Sequence, residues 1–277
     1  MDPFCKRIAL LGDIHANLPA LEAVLTHARS LGSVSIWNTG DFVGYGAFPD
    51  EVVKRLQLEG AISIIGNYDL KVLKFPKQKE KWRQSKHPQK WLAFQWAYQN
   101  LSETSRAILH SLPEETIVEE GGKRILLTHG SPASNKEAIT PETPPDRLQV
   151  LLNLAVERYA APIDAVICGH SHQAFTRQVG ESWFINTGSV GRPDDGDPRA
   201  RYAILSIGEA KFQVEHFRVA YDLDRAVQAI YTKGLPEEFA RMLIQGRELE
   251  SVIEQQGDHP ITTPKPQLPA EPGSRGD

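Results

Sequence analysis

The sequence predicts an α/β fold with parallel strands at its centre. In the first third of the chain, short apolar stretches of strand length alternate with longer stretches of helical spacing. Alternating strand–helix units of this kind pack as a parallel sheet covered by helices. Several of the strands also end in glycine followed by a polar residue. Because ligand-binding residues collect at the carboxyl ends of strands in such folds, this second observation indicates where a site lies.

The first unit begins with the apolar stretch Arg7 to Leu11, which runs directly into Gly12-Asp13-Ile14-His15. Asn17 is of the type that caps helix N-termini, and Pro19 suits the first helical turn. Apolar residues then recur at helical spacing up to the stop at Gly32: Leu21, Val24, Leu25, Ala28 and Leu31.

Two further units follow. Val34 to Asn38 is the second predicted strand and ends in Thr39-Gly40-Asp41, with a helix expected from Pro49 to Leu58. Ala61 to Ile65 is the third predicted strand and ends in Gly66-Asn67-Tyr68-Asp69. Three consecutive strands therefore end in glycine and a carboxylate or amide.

The pattern changes between residues 75 and 112, where lysines are followed by aromatic residues. We interpret this segment as an excursion of two or three helices from the sheet that lies near the site. The lysines are expected to form a solvated helix face, in preference to a nucleic-acid surface.

The second half of the chain mixes strands and helices. A hairpin is predicted for residues 115–119 and 124–128, ending in His129, and a helix for 147–159. The buried strand Ala165 to Cys168 ends in Gly169-His170-Ser171-His172. Four antiparallel strands (174–179, 182–186, 202–207, 211–218) and helices over 223–231 and 236–250 complete one predicted domain, 1–250. Residues 251–277 are expected to form a disordered tail.

Composition restricts the class of protein. The formal net charge is −4 and no basic patch stands out, so nucleic acid is not an expected partner. Two cysteines are too few for a disulfide framework, and no signal peptide or membrane span is evident. A cytoplasmic protein without membrane contact is expected, and the oligomeric state stays open.

The residues at the strand ends form a mixed set of oxygen and nitrogen donors. Such a set is too large for one tetrahedral zinc ion and suits two adjacent metals that share a carboxylate. The candidate ligands are Asp13, His15, Asp41, Asn67, His129, His170 and His172.

The chain resembles the calcineurin-like metallophosphoesterases, in particular their small prokaryotic branch. Five blocks carry the resemblance in the family's order, across residues 7–218, and a loop of the Asn186 to Gly191 type adds to it. The blocks are Gly12 to His15, Gly40 to Gly44, Gly66 to Asp69, His129-Gly130 and Gly169 to His172.

The resemblance implies a four-layer α/β/β/α sandwich of two mixed sheets flanked by helices. It also implies two divalent metal ions (Mn²⁺, Fe²⁺, Ni²⁺, Co²⁺ or Zn²⁺) and a metal-bridging hydroxide that attacks phosphorus. The first metal would be held by Asp13, His15 and His172, the second by Asn67, His129 and His170, and Asp41 would bridge them.

One position departs from the family pattern. Tyr68 stands where relatives usually have a histidine that assists the leaving group, and a phenol is a weaker acid near neutral pH. Four interpretations of Tyr68 stay open: slow turnover, a preference for leaving groups that need no protonation, a replacement acid elsewhere in the chain, or a tyrosine that is normal for this branch. Asp69 is the second catalytic candidate and is expected to orient a histidine or the loop. Arg192 and Arg199 are candidates for binding a substrate phosphate, against an equal expectation of surface salt bridges.

The resulting hypothesis is a binuclear metal-dependent hydrolase acting on a phosphomonoester or phosphodiester, with a small molecule or nucleotide as substrate. The alternative is a catalytically weak or inactive scaffold or binding protein with the same fold, for which Tyr68 is the only support.

Overall fold

The fold is seen in a computed structural model, which describes residues 5–209 and 211–258. In chain order its strands are β1 (Lys6–Leu11), β2 (Ser35–Asn38), β3 (Ile62–Ser63), β4 (Glu115–Glu120), β5 (Lys123–Thr128), β6 (Ala165–Cys168), β7 (Phe175–Val179), β8 (Ser182–Asn186), β9 (Ala200–Gly208) and β10 (Lys211–Val219). The helices are α1 (Leu18–Ser30), α2 (Pro49–Leu58), α3 (Asn67–Ser85), α4 (Pro88–Gln99), α5 (Glu103–Ser111), α6 (Pro145–Tyr159), α7 (Leu223–Thr232), α8 (Glu237–Gln245) and α9 (Leu249–Asp258).

The strands form two mixed five-stranded sheets. The first has the order β10-β9-β1-β2-β3, in which β1, β2 and β3 are parallel to one another and β9 runs antiparallel to both of its neighbours, β1 and β10. The second has the order β4-β5-β6-β8-β7, in which β5, β6 and β8 are parallel and the edge strands β4 and β7 are antiparallel.

Alternating side chains along the strands hold the sheets and helices together in four layers. Ile8 and Leu10 of β1 face the second sheet and pack with Ile125 and Leu127 of β5 between the sheets. Ala9 and Leu11, which alternate with these two residues, face outward and pack against α1 and α2. Helix α6 covers the outer face of the second sheet through Leu148, Leu151 and Leu152. The predicted four-layer α/β/β/α sandwich is confirmed.

Three predicted elements differ substantially from the structure, whereas the bounds of the other predicted strands and helices agree within two residues at each end. Helix α3 begins at Asn67, eight residues before the predicted excursion, so a candidate ligand occupies its first turn. Strand β3 covers only Ile62–Ser63 of the predicted 61–65. The predicted helix over 236–250 is two helices, because Gly246 adopts a left-handed backbone (φ 58°) that ends α8.

The C-terminal helices form a separate apolar cluster beside the loop that follows β2. Ile230 of α7, Phe239 and Leu243 of α8 pack around Tyr45 of that loop. Helix α9 continues to Asp258, past the predicted start of the tail at residue 251, and the predicted tail beyond it lies outside the described residues. None of the described helices is both long enough and apolar enough to cross a membrane.

Candidate metal centre

The candidate site lies where the carboxyl ends of strands from both sheets meet. The backbone N–H of His170, after β6, donates to Asp13 Oδ2, after β1, over 2.9 Å. His129 Nδ1, after β5, donates to the carbonyl oxygen of Thr39, after β2, over 2.8 Å. These bonds bring all seven predicted ligands to one place. We call them the ligand cluster: Asp13, His15, Asp41, Asn67, His129, His170 and His172.

One group within the cluster is enclosed. The ligand atoms of Asp13, His15 and His172 all lie within 4.8 Å of one another. His172 Nε2 is 3.2 Å from His15 Nε2 and 3.4 Å from Asp13 Oδ1. All three residues are buried. This arrangement suits a cation with nitrogen and oxygen ligands.

A second group lies next to it and shares Asp13 with it. The ligand atoms of Asp13, Asp41 and His129 also lie within 4.8 Å of one another. Asp41 Oδ2 is 3.5 Å from His129 Nε2 and 3.8 Å from His15 Nε2, so this carboxylate lies between the two groups.

Asn67 and His170 complete the second group. Asn67 Nδ2 is 2.6 Å from His170 Nδ1, and the His170 and His129 rings have centroids 5.1 Å apart. His170 is only partly buried, unlike the other three histidines of the cluster. This side of the centre therefore faces the protein surface.

Three imidazoles are oriented by backbone carbonyls. His172 Nδ1 is 2.8 Å from the Arg192 carbonyl oxygen, and His170 Nε2 is 3.0 Å from that of Lys136. His129 Nδ1 makes the bond to Thr39 already described. In each case the other ring nitrogen faces the cluster, which is the usual arrangement of metal-binding histidines.

Charges within the cluster shift one another's pKa values. Burial opposes the charged form of His129, but the nearby Asp41 carboxylate outweighs it and raises the His129 pKa to about 9. Burial would raise the pKa of Asp41, but attraction to His129 and His15 holds it well below its usual range. Burial, reinforced by the Arg192 charge, lowers the pKa of His15 well below its usual value. Asp41 is therefore a carboxylate and His15 a neutral imidazole at neutral pH, the forms that bind metal, whereas His129 is protonated and would release its proton on binding an ion.

The cluster also contains buried polar atoms that lack a hydrogen-bond partner and could bind a cation. Asp13 Oδ1 and His129 Nε2 are buried and have no hydrogen-bond partner among the described residues. Buried polar atoms without partners are rare because they are costly, and a bound metal ion would satisfy both.

The backbone of the cluster is strained. Five ligands adopt the left-handed conformation that non-glycine residues avoid: Asp13 (φ 53°), His15 (48°), Asp41 (53°), His170 (66°) and His172 (57°). Such strain persists only where the surrounding structure enforces it, and it concentrates at functional sites. Gly169 permits the close approach of the loops, since a Cβ there would lie 2.5 Å from Asp13 Oδ2.

The loop from Asn186 to Gly191 is hydrogen-bonded to ligand-bearing segments of both sheets. Ser189 Oγ donates to the Asp13 carbonyl oxygen over 2.7 Å, and the Gly191 N–H donates to the same oxygen over 3.1 Å. Asn186 Nδ2 donates to the Gly169 carbonyl oxygen over 2.6 Å. The loop thus holds the two segments that carry Asp13 and His170.

The two predicted catalytic residues occupy different places. The Tyr68 ring lies edge-on to the His15 ring, with centroids 5.2 Å apart, and its hydroxyl is 2.8 Å from that of Tyr45. Burial raises the pKa of Tyr68 well above its usual value, so the phenol stays protonated. Asp69 accepts from the backbone N–H groups of Val43 (3.1 Å) and Gly66 (2.9 Å), and it contacts no histidine among the described residues. Of its two expected tasks, the geometry matches orienting the loop.

The two predicted substrate arginines also separate. The Arg192 guanidinium lies 4.9 Å above the Tyr45 ring and 6.0 Å above the Tyr68 ring. Its Nε is buried and has no hydrogen-bond partner among the described residues. Arg199 is largely exposed and bonds to Asp197 over 2.6 Å, with no contact to the ligand cluster in the described part of the chain. Arg192 therefore adjoins the centre, whereas Arg199 makes the surface salt bridge that was its alternative.

Two residues near the cluster were not predicted. Tyr45 bonds to Tyr68 and lies under Arg192; its signal was an aromatic residue in a glycine-rich loop at a strand end. Lys71 Nζ is 3.0 Å from Asn67 Oδ1, and burial lowers the Lys71 pKa to about 8. The signal for Lys71 was its position four residues after Asn67, which is meaningful only once α3 is known to begin there.

The fold and the cluster define a class: four-layer α/β/β/α proteins with a buried group of carboxylates and histidines at the strand ends. The chain belongs to the calcineurin-like phosphoesterase superfamily, whose domain profile matches residues 7–210. An uncharacterised protein of the archaeon Methanocaldococcus jannaschii is 32% identical over 259 residues, which cover 87% of this chain and 98% of that protein.

Solved structures agree with this assignment. A metallophosphoesterase from Sphaerobacter thermophilus is 28% identical with a TM-score of 0.69, covering 87% of this chain and 99% of that one. A hypothetical protein from Pyrococcus horikoshii has a TM-score of 0.77 at 21% identity, covering 87% of this chain and 98% of that one. The second likeness bears on the fold alone. The bacterial and archaeal relatives agree with the expected prokaryotic branch.

Proposed function

We propose that this protein is a binuclear metal-dependent phosphoesterase that hydrolyses a phosphomonoester or a phosphodiester. The observation that supports the proposal is the ligand cluster, in which seven oxygen- and nitrogen-bearing side chains from five strand ends meet at one point. Two divalent ions bound there supply Lewis acidity, which activates water and neutralises charge on the phosphoryl group. Mn²⁺, Fe²⁺, Ni²⁺, Co²⁺ and Zn²⁺ all suit such a donor set.

The proposed division of ligands follows the two groups. Asp13, His15 and His172 would hold the first ion, and Asp41, between the groups, would be shared with the second. Asn67, His129 and His170 hold the second ion. The backbone carbonyls behind three of the histidines keep the ring nitrogens pointed at the ions.

The substrate phosphate is proposed to meet Arg192 beside the enclosed group. The Arg192 guanidinium makes no salt bridge within the described part of the chain and has a buried Nε without a partner, so it has unused donors. Guanidinium groups bind phosphate oxygens through two parallel hydrogen bonds. Tyr45 and Tyr68 fix the guanidinium plane from below. Tyr68 is therefore proposed to position the side chains of Arg192 and His15, both of which it contacts.

The test compares wild type with Asp41→Asn on p-nitrophenyl phosphate and bis(p-nitrophenyl) phosphate with added Mn²⁺. Replacing the carboxylate between the two groups is expected to lower kcat by about 1,000-fold or more, since it weakens both ions. Asp146→Asn, on the exposed first turn of α6, is the matched control. Unchanged hydrolysis by Asp41→Asn overturns the proposal, and the two substrates separate monoesterase from diesterase activity.

Tyr68 in place of a histidine is the observation that favours the second candidate, an inactive binding scaffold. Metal analysis and a screen of phosphomonoesters, cyclic nucleotides and dinucleoside polyphosphates are applied to wild type and Tyr68→His. The scaffold is favoured if both proteins bind metal and neither hydrolyses any compound. Turnover by the wild type rules the scaffold out.

A further inference from the structure

Two lysines lie around the Phe94 ring, and one of them, Lys71, also contacts the candidate ligand Asn67. Lys71 Nζ, on the second turn of α3, is 4.4 Å from the Tyr68 ring centroid and 5.9 Å from that of Phe94. Lys86 Nζ, at the other end of the same helix, is 5.8 Å from the Phe94 centroid. Two ammonium groups from distant turns therefore lie against one aromatic ring, because α3 and α4 pack side by side.

These two charges are not compensated. In residues 5–209 and 211–258, no carboxylate lies within salt-bridge distance of Lys71 or Lys86. The neighbouring Lys90 is paired with Glu250. Lys71 is also half-buried, and a half-buried ammonium without a carboxylate is costly unless an anion reaches it. The pair thus has the electrostatic character of an anion site.

The single hydrogen-bond acceptor of Lys71 in the described chain is Asn67 Oδ1, at 3.0 Å. The other end of this amide, Nδ2, is 2.6 Å from His170 Nδ1. An asparagine binds a metal ion through its oxygen, since the amide nitrogen is only a donor. When Oδ1 turns toward an ion beside His170, the NH₂ group turns toward Lys71, so two donors face each other. Metal binding therefore frees the Lys71 ammonium for another acceptor.

We propose that Lys71 and Lys86 form a second anion subsite that binds a phosphate group next to the one held at the metal centre. The proposal rests on the proposed function and specifies its substrate class: phosphate esters or anhydrides that carry at least two phosphate groups. Arg192 lies over the Tyr45 ring beside the enclosed group, whereas Lys71 contacts Asn67, so Arg192 is assigned to the first phosphate and the lysines to the second.

The experiment measures binding of methylenediphosphonate, which has two phosphonate groups and cannot be hydrolysed, and of methylphosphonate, which has one. Protein loaded with Mn²⁺ and freed of excess metal is titrated by calorimetry, and its metal content is measured afterwards. Variants are Lys71→Met, Lys86→Met and the double variant, with Lys74→Met as control, since Lys74 is exposed on the same helix. Thermal unfolding confirms that each variant is folded.

Wild type is expected to prefer the diphosphonate by about 30-fold or more, because each charge-assisted contact contributes roughly 10-fold in affinity. The double variant is expected to lose most of this preference, and Lys74→Met to retain it. In metal-free protein Lys71→Met should change the preference for the diphosphonate less, because the Lys71 ammonium is then hydrogen-bonded to Asn67.

The subsite is overturned if the wild type shows no preference, binds neither probe, or keeps its preference in the double variant. These outcomes are separate from failure of the proposed function, which appears as the absence of bound metal or of Asp41-dependent hydrolysis. If the protein binds metal and hydrolyses aryl phosphate, but its preference for the diphosphonate does not depend on either lysine, the proposed function stands and the subsite is rejected.

Discussion

The ligand cluster has an enclosed side and an open side, built from the same kinds of residue in different surroundings. On the enclosed side Asp13, His15 and His172 are buried, and Phe239 of the C-terminal helices supports Tyr45 there. On the open side His170 is partly exposed, and its Nε2 is hydrogen-bonded to the backbone carbonyl oxygen of Lys136. Since Asn67 and His129 are buried as well, the two sides differ at His170, the only one of the seven candidate ligands that is not buried.

The first prediction concerns the support of the enclosed side. Phe239 is 1% exposed and lies edge-on to Tyr45, with ring centroids 5.2 Å apart. Phe239→Ala is expected to lower the free energy of unfolding by about 3–5 kcal/mol, because it leaves a cavity in an apolar cluster. Urea denaturation measures it. The control is Leu58→Ala at an 81% exposed position, expected within about 0.5 kcal/mol of wild type. A loss below about 1 kcal/mol for Phe239→Ala would mean that the C-terminal helices do not stiffen this side.

The second prediction compares the sides directly through metal affinity. His172→Ala removes a buried ligand next to the Asp13 carboxylate, and His170→Ala removes a partly exposed one next to the Asn67 amide. We expect His172→Ala to weaken the tighter of two Mn²⁺ ions by more than about 100-fold, since even outer contacts of metal ligands contribute roughly 10–100-fold. His170→Ala should weaken only the looser ion. Calorimetric titration of metal-free protein measures both, and the comparison fails if the two variants lose the same ion.

The smallest expected effect tests which arginine reaches the substrate. Arg192→Lys keeps the charge but loses the planar fork, so kcat/KM on p-nitrophenyl phosphate is expected to fall about 10-fold. Arg199→Met, at the exposed salt bridge with Asp197, is expected to change it less than about 2-fold. Steady-state kinetics of both variants decide the matter. The reverse ranking would contradict the assignment of Arg192 to the substrate phosphate.

Much of the fold was predictable because the signals were local. Helix α2 and strands β6 and β8 have the predicted bounds, since each is a continuous periodic or apolar run with a turn signal at its end. The start of α3 at Asn67 was not, because the helix begins within a loop motif whose glycine and polar residues indicate a turn. The break at Gly246 was missed because glycine is tolerated inside helices as well as at their ends.

The same limit applies to the site. All seven candidate ligands could be named, because each follows a strand end. Their left-handed backbones, by contrast, result from contacts between loops far apart in the chain, such as Ser189 with Asp13. The pairing of Tyr45 with Tyr68 and the approach of Lys71 to Asn67 likewise depend on loop packing and on the true start of α3.

The division of the ligands between the two sheets has a consequence for folding during synthesis and for the rate of unfolding. Asp13, His15, Asp41 and Asn67 follow strands of the first sheet, and His129, His170 and His172 follow strands of the second. A chain emerging from the ribosome cannot complete the centre until residue 172 is available and the sheets have docked. Conversely, the sheets can separate only after an ion between them has lost its bonds to the ligands of one sheet, so the metal-loaded protein is expected to unfold more slowly.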